Sequence, residues 1–289
     1  MPLLAVPGAD LASLDASVVE LIFLGIFAFL IGIFAGMTGI ALGIIRLPIL
    51  LAFGFNPAVS AGTNLGVSVL GGATAAWPHW RGGRVVIRVL LIVGIPAVAG
   101  SFLGGLFAND VKSWILLAVI ATILGISGLT TYRQWWNAAR SPLRPVRHRP
   151  PTPSDDPTGI SNLRPGRVAV DSGIGVVIGL IGGAAGLVLG SLRMPLLLNV
   201  LRMDPRYAAG TNNAIGVFAG TFGFVGHALN SDFDIPVMAV MGAAGMVGSY
   251  IGATQTGRMG PAMMRLIIAI MLTAVTPIVI IRAVIEFPN

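Results

Sequence analysis

The sequence predicts an all-α polytopic membrane protein made of two homologous repeats, each with broken or re-entrant helices. Hydrophobic residues make up 55% of the 289-residue chain and charged residues only 10%, whereas a soluble domain carries about 25% charged residues. Apolar runs recur that are long enough, at about 20 residues, to cross a bilayer as helices. In addition, a glycine-rich stretch near the start of the chain occurs again in the second half.

The two copies of this stretch lie at 36–64 and 183–212. Matching residues are 147 positions apart at first and 148 positions apart after a one-residue insertion. The second offset then holds without a gap as far as Gly104 and Gly252. So many matches at one offset indicate an internal duplication. The best-matched pairs are Gly43 with Gly190, Arg46 with Arg193, Pro48 with Pro195, and Asn64 with Asn212.

Behind a lead of residues 1–17, the first repeat occupies 18–132. A glycine stretch, a break before Pro57, a basic loop and a tight turn divide its apolar sequence into five segments. One segment has about ten residues, which as a helix would span about 15 Å of the roughly 30 Å hydrocarbon core. It is therefore predicted as a separate element that does not cross the bilayer as a plain helix. The predicted segments are 18–35, 44–53, 57–77, 85–107 and 114–132.

Residues 133–167 differ in composition from both repeats, because they are rich in arginine and proline and lack an apolar period. They are predicted to form a mostly disordered linker. The second repeat follows at 168–285 with the same order of segments. These segments are 168–189, 192–201, 207–226, 235–254 and 263–284.

The distribution of charge predicts how the repeats lie in the membrane. Cytoplasmic loops collect arginine and lysine, so the basic loop 81–88 and the linker 133–167 are expected inside the cell. The loop 230–234, which is equivalent to the first of these, is acidic and is expected outside. Equivalent loops on opposite sides predict an inverted repeat with five elements per half and both termini outside. If the short segments were instead fused to their neighbours, each half would have four spans and the repeats would be parallel.

The glycine clusters are candidate helix breaks that shape a cavity. Short segments interrupted by glycine and proline at matching positions of two repeats are typical of a transporter's binding site. Irregular backbone at membrane depth is tolerated only where protein or a water-filled cavity satisfies its polar groups. Other glycines, such as Gly100 and Gly248, are more typical of close helix packing. The candidate break positions are Gly39, Gly43 and Pro48 in the first repeat and Gly186, Gly190 and Pro195 in the second.

Arg46 and Arg193 are the leading candidates for substrate binding. Each lies in an apolar segment, where a charged side chain costs about 2.5–3.5 kcal/mol on insertion scales. The nearest acidic residues, Asp171 and Asp204, are expected near the membrane interface. A bound anion is therefore the expected counter-charge, and the guanidinium fork suits an oxyanion. The alternative is that each arginine extends to an interface.

Polar residues that follow the arginines are expected to orient the anion. They lie near the start of the next helix, behind Pro57 or Pro205, and offer neutral hydrogen-bond donors. Helix capping or hydrogen bonding between helices explains them equally well. These residues are Thr63, Asn64, Thr211, Asn212 and Asn213.

His79 and His227 end the helices that follow, and a histidine can carry a coupled proton near neutral pH. An interfacial position beside Trp77 and Trp80 is the alternative for the first of them. The sequence shows no catalytic motif, phosphate-binding loop or metal-ligand cluster, and it has no cysteine. It therefore predicts neither an enzyme nor a protein that binds a cofactor or a metal.

Each glycine cluster is followed by a proline and then by an A-x-T-N segment. The residues concerned are Gly36, Gly39, Gly43, Pro48 and Ala61-x-Thr63-Asn64, and then Gly183, Gly186, Gly190, Pro195 and Ala209-x-Thr211-Asn212. This doubled motif resembles the sulfite exporter TauE/SafE family of membrane transporters, although the central glycines of that family's motif are Ala41-Leu42 and Val188-Leu189 here. The resemblance implies transport, as export, of small sulfur-containing anions such as sulfite, sulfoacetate and related organosulfonates.

The expected function is secondary transport of a small anion across the cell inner membrane, with the linker in the cytoplasm. The anion is expected between the repeats, held by the paired arginines. The alternatives are an anion channel, or a non-transporting membrane subunit that binds a partner through the linker. The net charge of +7 is explained by topology and not by nucleic acid. The expected partners are a small anionic substrate and the lipid bilayer, and the oligomeric state stays open.

Overall fold

Helices account for all the regular structure in the described part of the chain, so the predicted all-α class is confirmed. The computed structural model describes residues 17–38, 43–140, 156–158, 160, 165–254 and 261–287.

The first half contains α1 to α6. A π-helical turn at Leu90–Gly94 joins α4 and α5 into one continuous helical segment, and a 3₁₀ turn at Ala108–Asp110 precedes α6. The helices are α1 (Val18–Thr38), α2 (Gly43–Ala52), α3 (Pro57–Arg81), α4 (Ile87–Val89), α5 (Ile95–Leu106) and α6 (Ser113–Arg140).

The second half contains α7 to α11, and a π-helical turn at Leu196–Val200 extends α8. When continuous segments are counted among the described residues, each half has five in the same order. The helices are α7 (Pro165–Ala184), α8 (Gly190–Pro195), α9 (Pro205–Leu229), α10 (Ile235–Thr254) and α11 (Pro261–Ile285).

Local sequence signals set where several helices begin. Ser17 and Glu20 form a reciprocal capping box before α1, with N–H to side-chain oxygen distances of 2.8 and 3.3 Å. Asn56 Oδ1 accepts the N–H of Ala58 at 2.8 Å, and Asp204 caps α9 in the same way. α3 and α9 then each begin with a proline, as the first turn of a helix allows because its N–H groups lack intrahelical partners.

Among the described residues, four helices are long and apolar enough to cross a membrane, by length and composition. They are Val18–Ala35, Ile87–Leu106, Ser113–Asn137 and Ile235–Gly252. α3 and α9 are long as well, at 25 residues each, but their sequences include glycine, threonine, asparagine and histidine. The apolar helices support a multi-pass membrane protein.

The two halves are interleaved. α1 packs along α10 of the other half, and α7 of the second half packs along α5 of the first. These contacts are close because glycines remove the Cβ atoms. A Cβ on Gly100 or Gly104 would clash with the backbone of α7, and one on the equivalent Gly248 or Gly252 would clash with the backbone of α1. Close helix packing is thus confirmed as the role of these four glycines.

α3 and α9 pack against each other between the halves and run antiparallel. A Cβ on Gly72 would lie 3.4 Å from Val217 Cγ2, whereas one on Gly62 would lie 2.9 Å from the Cβ of His227. Early residues of one helix therefore contact late residues of the other. α6 and α11, which are the last helices of the two halves, also pack together.

α2 is held inside the protein by its apolar side chains and by an arginine of α11. Ile45 and Leu47 are completely buried. Arg282 Nη1 donates to the carbonyl oxygens of Leu51, at 2.5 Å, and of Phe55, at 3.1 Å. The last carbonyls of a helix lack intrahelical partners, so this guanidinium caps the C-terminus of α2, where a positive charge is favourable.

The linker differs from its predicted extent. α6 continues to Arg140, beyond the predicted start at 133, because 133–140 contains mostly helix-compatible residues and no proline. The Pro157 carbonyl accepts the N–H of Asp204 at 2.9 Å, and Ile160 packs against an apolar cluster that contains residues of both halves. These described positions are therefore not disordered, which composition alone does not reveal. The remaining linker positions, 141–155, 159 and 161–164, lie outside the described residues.

Candidate functional site

The first arginine cluster lies where α2 meets α3. Arg46 is buried, with 8% of its surface exposed. Its Nε donates to Asn64 Oδ1 at 3.3 Å, and its Nη2 donates to Ser68 Oγ at 2.7 Å. Asn64 Nδ2 in turn donates to the carbonyl oxygen of Gly43 at 3.0 Å. The asparagine therefore joins the guanidinium to the start of α2.

The second half repeats this cluster where α8 meets α9. Arg193 is 2% exposed, and its Nε donates to Asn212 Oδ1 at 3.2 Å. Asn212 Nδ2 donates to the carbonyl oxygen of Gly190 at 3.1 Å. Each of these residues stands at the repeat position of its counterpart in the first half. The structure thus brings each predicted arginine together with the predicted asparagine and glycine of its own repeat.

The two clusters differ at one position. The serine that binds Arg46, Ser68, is replaced in the second repeat by Gly216. A Cβ on Gly216 would lie 3.6 Å from Arg193 Nη2, so a side chain at this position would adjoin the guanidinium. Without one, Arg193 Nη2 is buried and has no hydrogen-bond partner among the described residues. A buried donor without a partner costs about 1–3 kcal/mol, and more when it is charged.

A cavity lies beside Arg193. Its wall comes from α3, α5, α7, α9 and residues 187–189, and it includes Leu65, Ser101 and Gly220. The cavity has about 10 Å³ of space for the centre of a water molecule, which corresponds to about one water. An anion with several oxygen atoms needs more room than the cavity has in this structure.

The two arginine clusters lie at different levels of the α3–α9 pair. The glycine contacts between these helices place Asn64 level with Val225 of α9, and Asn212 is 13 residues nearer the start of α9. At 1.5 Å per residue, the two asparagines are about 20 Å apart along the helix axes. The residues beside the two Nη2 atoms are closer, because Ser68 lies level with Thr221 of α9, five residues or about 7.5 Å along the axes from Gly216. The clusters are therefore two half-sites whose guanidinium groups extend towards each other.

A sharp turn at Gly186 connects the half-sites. Gly186 has a φ of +69°, which disfavours any residue with a Cβ, and a Cβ there would also clash with Ala61 of α3. Its carbonyl oxygen accepts a hydrogen bond from Asn64 Nδ2 at 2.8 Å. The turn thus contacts the first cluster, and four residues later Gly190 belongs to the second. Gly39, the counterpart of Gly186, lies outside the described residues.

The two predicted threonines bind backbone groups of the opposite repeat. Thr63 Oγ1 accepts the N–H of Asp234 at 2.9 Å, and Thr211 Oγ1 accepts the N–H of Val86 at 3.0 Å. The two donors are themselves 148 positions apart, so the bonds are equivalent. The first bond fixes Asp234 just before α10, and the second fixes Val86 just before α4. In this structure both hydroxyls therefore join the repeats to each other.

The remaining predicted positions lie near the clusters. Pro48 is buried in α2, which stays α-helical across it. Pro195 ends α8 and is followed by the π-helical turn Leu196–Val200. The backbone therefore differs between the halves after the arginine, and π-helical turns occur frequently at functional sites. Asn213 is half-buried on α9 next to Asn212.

His227 is completely buried near the end of α9. Its Nε2 lies 2.9 Å from the carbonyl oxygen of Gly183, and its Nδ1 lies 3.9 Å from Asp232 Oδ2. Both carboxylate oxygens of Asp232 accept hydrogen bonds from Asn109 Nδ2, at 2.8 and 2.7 Å. Burial raises the pKa of Asp232 above its ordinary value, and the hydrogen bonds from Asn109 act in the opposite direction.

His79 has different surroundings, although it matches His227 in the repeat. It is half-buried near the end of α3. Arg84 occupies the position equivalent to Asp232, and its N–H donates to the His79 carbonyl oxygen at 3.0 Å. The guanidinium of Arg81 lies 4.8 Å from the ring centroid of Trp77. The two histidines are therefore followed by residues of opposite charge at the equivalent loop position.

Sequence reasoning missed four residues of these clusters. Ser68 and Gly216 were detectable as a serine-to-glycine difference at one repeat position. Asp232 was interpreted only as an acidic loop residue, and Asn109 gave no signal because 123 positions separate it from that aspartate. Asp171, which the sequence predicts near the membrane interface, is buried within the protein, with 1% of its surface exposed.

The described residues contain no group of three or more histidine, aspartate or glutamate side chains placed to hold a metal ion. Comparisons with curated proteins and with solved structures gave no match. A family model described as sulfite exporter TauE/SafE matches residues 24–277. This range includes both arginine clusters and His227. The chain therefore belongs to the sulfite exporter TauE/SafE family of membrane transporters.

Proposed function

We propose that this protein is a secondary transporter that exports a small anion, such as sulfite or an organosulfonate. The observation that carries the proposal is the buried Arg193 Nη2, which has no hydrogen-bond partner among the described residues. The guanidinium keeps its charge even when buried, and no described carboxylate lies within ion-pair distance of it. An oxyanion supplies both the missing acceptor and the missing negative charge.

The two half-sites have different parts in this proposal. Arg193, with the adjacent cavity, is the binding point because its guanidinium has an unused donor. Arg46 already donates to Asn64 and Ser68, so it is the closed counterpart on the same path. The asparagines are about 20 Å apart along the helix axes, but the residues beside the two Nη2 atoms, Ser68 and Gly216, are only about 7.5 Å apart. The two guanidinium groups therefore extend towards each other along one path. Asn64 and Asn212 orient the two guanidinium groups.

An inverted repeat supports alternating access to these half-sites. α3 and α9 are equivalent and antiparallel. The same holds for α6 and α11, where a Cβ on Gly125 would lie 4.0 Å from Thr276 Cγ2 and one on Gly128 would lie 3.4 Å from Leu272 Cβ. Antiparallel equivalents are required by an axis in the membrane plane. With the basic linker in the cytoplasm of an inner-membrane protein, both termini lie outside. Each half then crosses the membrane an odd number of times, with α2 returning the chain from α1 to α3 and α8 returning it from α7 to α9. Rocking of the repeats then exposes each arginine to its own side.

Anion binding to the purified protein tests the proposal. Thermal unfolding is followed with sulfite, sulfate, sulfoacetate, taurine, phosphate and simple carboxylates, for the wild type, Arg193→Gln and Arg46→Gln. Glutamine removes the charge but keeps an amide donor for the neighbouring asparagine. We expect one oxyanion or sulfonate to stabilise the wild type, by about 2.7 kcal/mol at 100 times its Kd. This stabilisation is expected to disappear in Arg193→Gln and to persist, weakened, in Arg46→Gln.

Unchanged stabilisation of Arg193→Gln would contradict this site, and a folded wild type that responds to no anion would contradict anion transport altogether. Flux through liposomes separates the alternatives. A channel gives passive anion flux, whereas a secondary transporter gives flux in a fixed ratio with a second ion. Transport that persists after deletion of 141–155 would argue against a subunit that acts through the linker.

A further inference from the structure

The ring of His227 is held in a fixed orientation by glycine faces of three helices. A Cβ on Gly62 of α3 would lie 2.9 Å from the His227 Cβ, and one on Gly105 of α5 would lie 3.1 Å from its Cδ2. Gly183 of α7 supplies the carbonyl oxygen that lies 2.9 Å from Nε2. The anion half-sites do not use this side chain, yet it is 0% exposed.

The hydrogen bond to Gly183 determines the tautomer of His227. A carbonyl oxygen only accepts hydrogen bonds, so Nε2 donates and carries a proton. In the neutral ring, Nδ1 then holds a lone pair. Nδ1 is buried and has no hydrogen-bond partner among the described residues, and it lies 3.9 Å from Asp232 Oδ2. A lone pair therefore faces a carboxylate that lies just beyond hydrogen-bond distance.

We infer that His227 Nδ1 and Asp232 form a proton-binding site that couples anion transport to proton movement, which rests on the proposed transport function. A proton that adds to the Nδ1 lone pair gives an imidazolium, and this pairs with the Asp232 carboxylate. The proton leaves by the reverse step towards the loop 230–234. Asn109 donates to both carboxylate oxygens and so holds Asp232 towards the ring.

The other elements around the ring bring no competing charge within contact. On the flanking loops, Asp110 is exposed, and Asp234 Oδ1 accepts the N–H of Val237 at 2.8 Å. Along the packed helices, the nearest ionisable residue is Asp171 of α7, which is 12 residues from Gly183 and therefore about 18 Å away along the helix. The charged residues of α3 and α4 lie still further along the helices from their contacts with the ring. Of the described residues, Asp232 alone is within ion-pair distance of His227.

The backbone connects this proton site to the anion half-sites. Gly183 leads into the turn at Gly186, whose carbonyl oxygen accepts from Asn64 Nδ2 at 2.8 Å. The next residues, 187–189, form part of the cavity wall beside Arg193. Protonation draws the ring towards Asp232 and changes its bond to the Gly183 carbonyl. The proton therefore acts on the segment that must move for the cavity to admit an anion.

Proton movement in liposomes tests the coupling. Purified protein is reconstituted with an entrapped pH indicator, and a gradient of sulfoacetate is imposed, because its sulfonate does not itself titrate near neutral pH. Radiolabelled sulfoacetate reports anion movement in parallel. The variants are His227→Gln, which keeps an amide donor for Gly183 but takes up no proton, and Asp232→Asn. His79→Gln is the matched comparison, because Arg84 stands where the carboxylate would be.

We expect the wild type and His79→Gln to move protons with sulfoacetate. We expect His227→Gln to exchange sulfoacetate without proton movement, and Asp232→Asn to show a weakened pH dependence. Proton movement at the wild-type ratio in His227→Gln would overturn the coupling. No sulfoacetate movement in any protein, including the wild type, would instead overturn the proposed transport.

A second measurement examines the proton site without transport. The chain has 3 histidines, so ring nitrogen-15 NMR of the histidine-labelled protein is assignable with single variants. The His227 signals are expected to report the Nε2–H tautomer at high pH and protonation of Nδ1 as the pH falls. This titration is expected to shift to lower pH in Asp232→Asn, because the paired negative charge is lost. A ring that stays neutral until the protein unfolds would overturn the site itself.

Discussion

Gly216→Ser is expected to close the open half-site, because it adds to the second repeat the hydroxyl that the first repeat already has. Ser68 Oγ accepts from Arg46 Nη2 at 2.7 Å. A Cβ on Gly216 would lie 3.6 Å from Arg193 Nη2, so a serine hydroxyl at this position is within reach of that nitrogen. It would then occupy the donor that the anion uses.

The hydrogen-bond geometry sets the magnitude of this effect. A hydrogen bond to a charged group contributes about 1.5–3 kcal/mol, and the anion has to displace it. Since about 1.4 kcal/mol corresponds to a factor of ten, the affinity for the anion is expected to fall about ten- to hundredfold. Gly216→Ala is the matched control, because it adds the same Cβ, 3.0 Å from Val188 Cγ1, without the hydroxyl.

The assay is titration of the purified wild type and both variants with the stabilising anion, at one pH and one salt concentration. Thermal unfolding without the anion checks that the variants are folded. We expect the alanine variant to bind close to wild type and the serine variant to bind much more weakly. Equal dissociation constants for the two variants would refute the reasoning, because Arg193 Nη2 would then not be the donor that the anion uses.

Four further changes test other parts of the structure. Ser68→Ala removes the acceptor of Arg46 Nη2 and is expected to lower the stability by about 1–3 kcal/mol, measured by thermal unfolding; an unchanged midpoint would mean that this bond contributes little. Gly104→Ala places a Cβ against the α7 backbone and is expected to destabilise by about 1–3 kcal/mol, whereas Gly71→Ala, where no atom lies within 4 Å, is the control expected to be tolerated. Arg282→Gln uncaps α2, and faster hydrogen exchange is expected at residues 52–55 but not in α9. Burial raises the pKa of Asp232, so the folded state binds this proton more tightly than the unfolded state. The stability contributed by this group therefore falls as the pH rises from the ordinary to the raised pKa and is constant above it; Asp232→Asn is expected to remove that slope, and an unchanged slope would assign it to another group.

Much of the site was predictable from the repeat itself. Arg46 and Asn64 match Arg193 and Asn212 in sequence, and each pair is hydrogen-bonded in the structure. The helix starts at Pro57 and Pro205 also follow from local signals, because a helix cap depends on few neighbouring residues. The same holds for the packing glycines, because a close contact between helices also depends on few residues.

The relation between the two half-sites was not predictable. The distance between the two guanidinium groups depends on the direction and level at which α3 and α9 cross. Arg193 Nη2 has no hydrogen-bond partner in the described part of the chain because Gly216 has no side chain. This absence has an effect only when α8 packs against α9. The pair of Asn109 with Asp232 arises in the same way, from a tertiary contact without any local pattern. Packing between helices decides such features, and the hydrophobic periodicity of the sequence does not reveal how helices pack.

The interleaving of the halves has a consequence for biosynthesis. α1 packs along α10, which begins roughly 200 residues later. At about 5–20 residues per second, α1 leaves the ribosome roughly 10–40 s before its main partner exists. During that time its glycine face is covered by lipid or by an insertion factor. Neither half made alone can complete its own helix pairs, so a chain cut in the linker is expected to assemble only when both fragments are inserted into the same membrane.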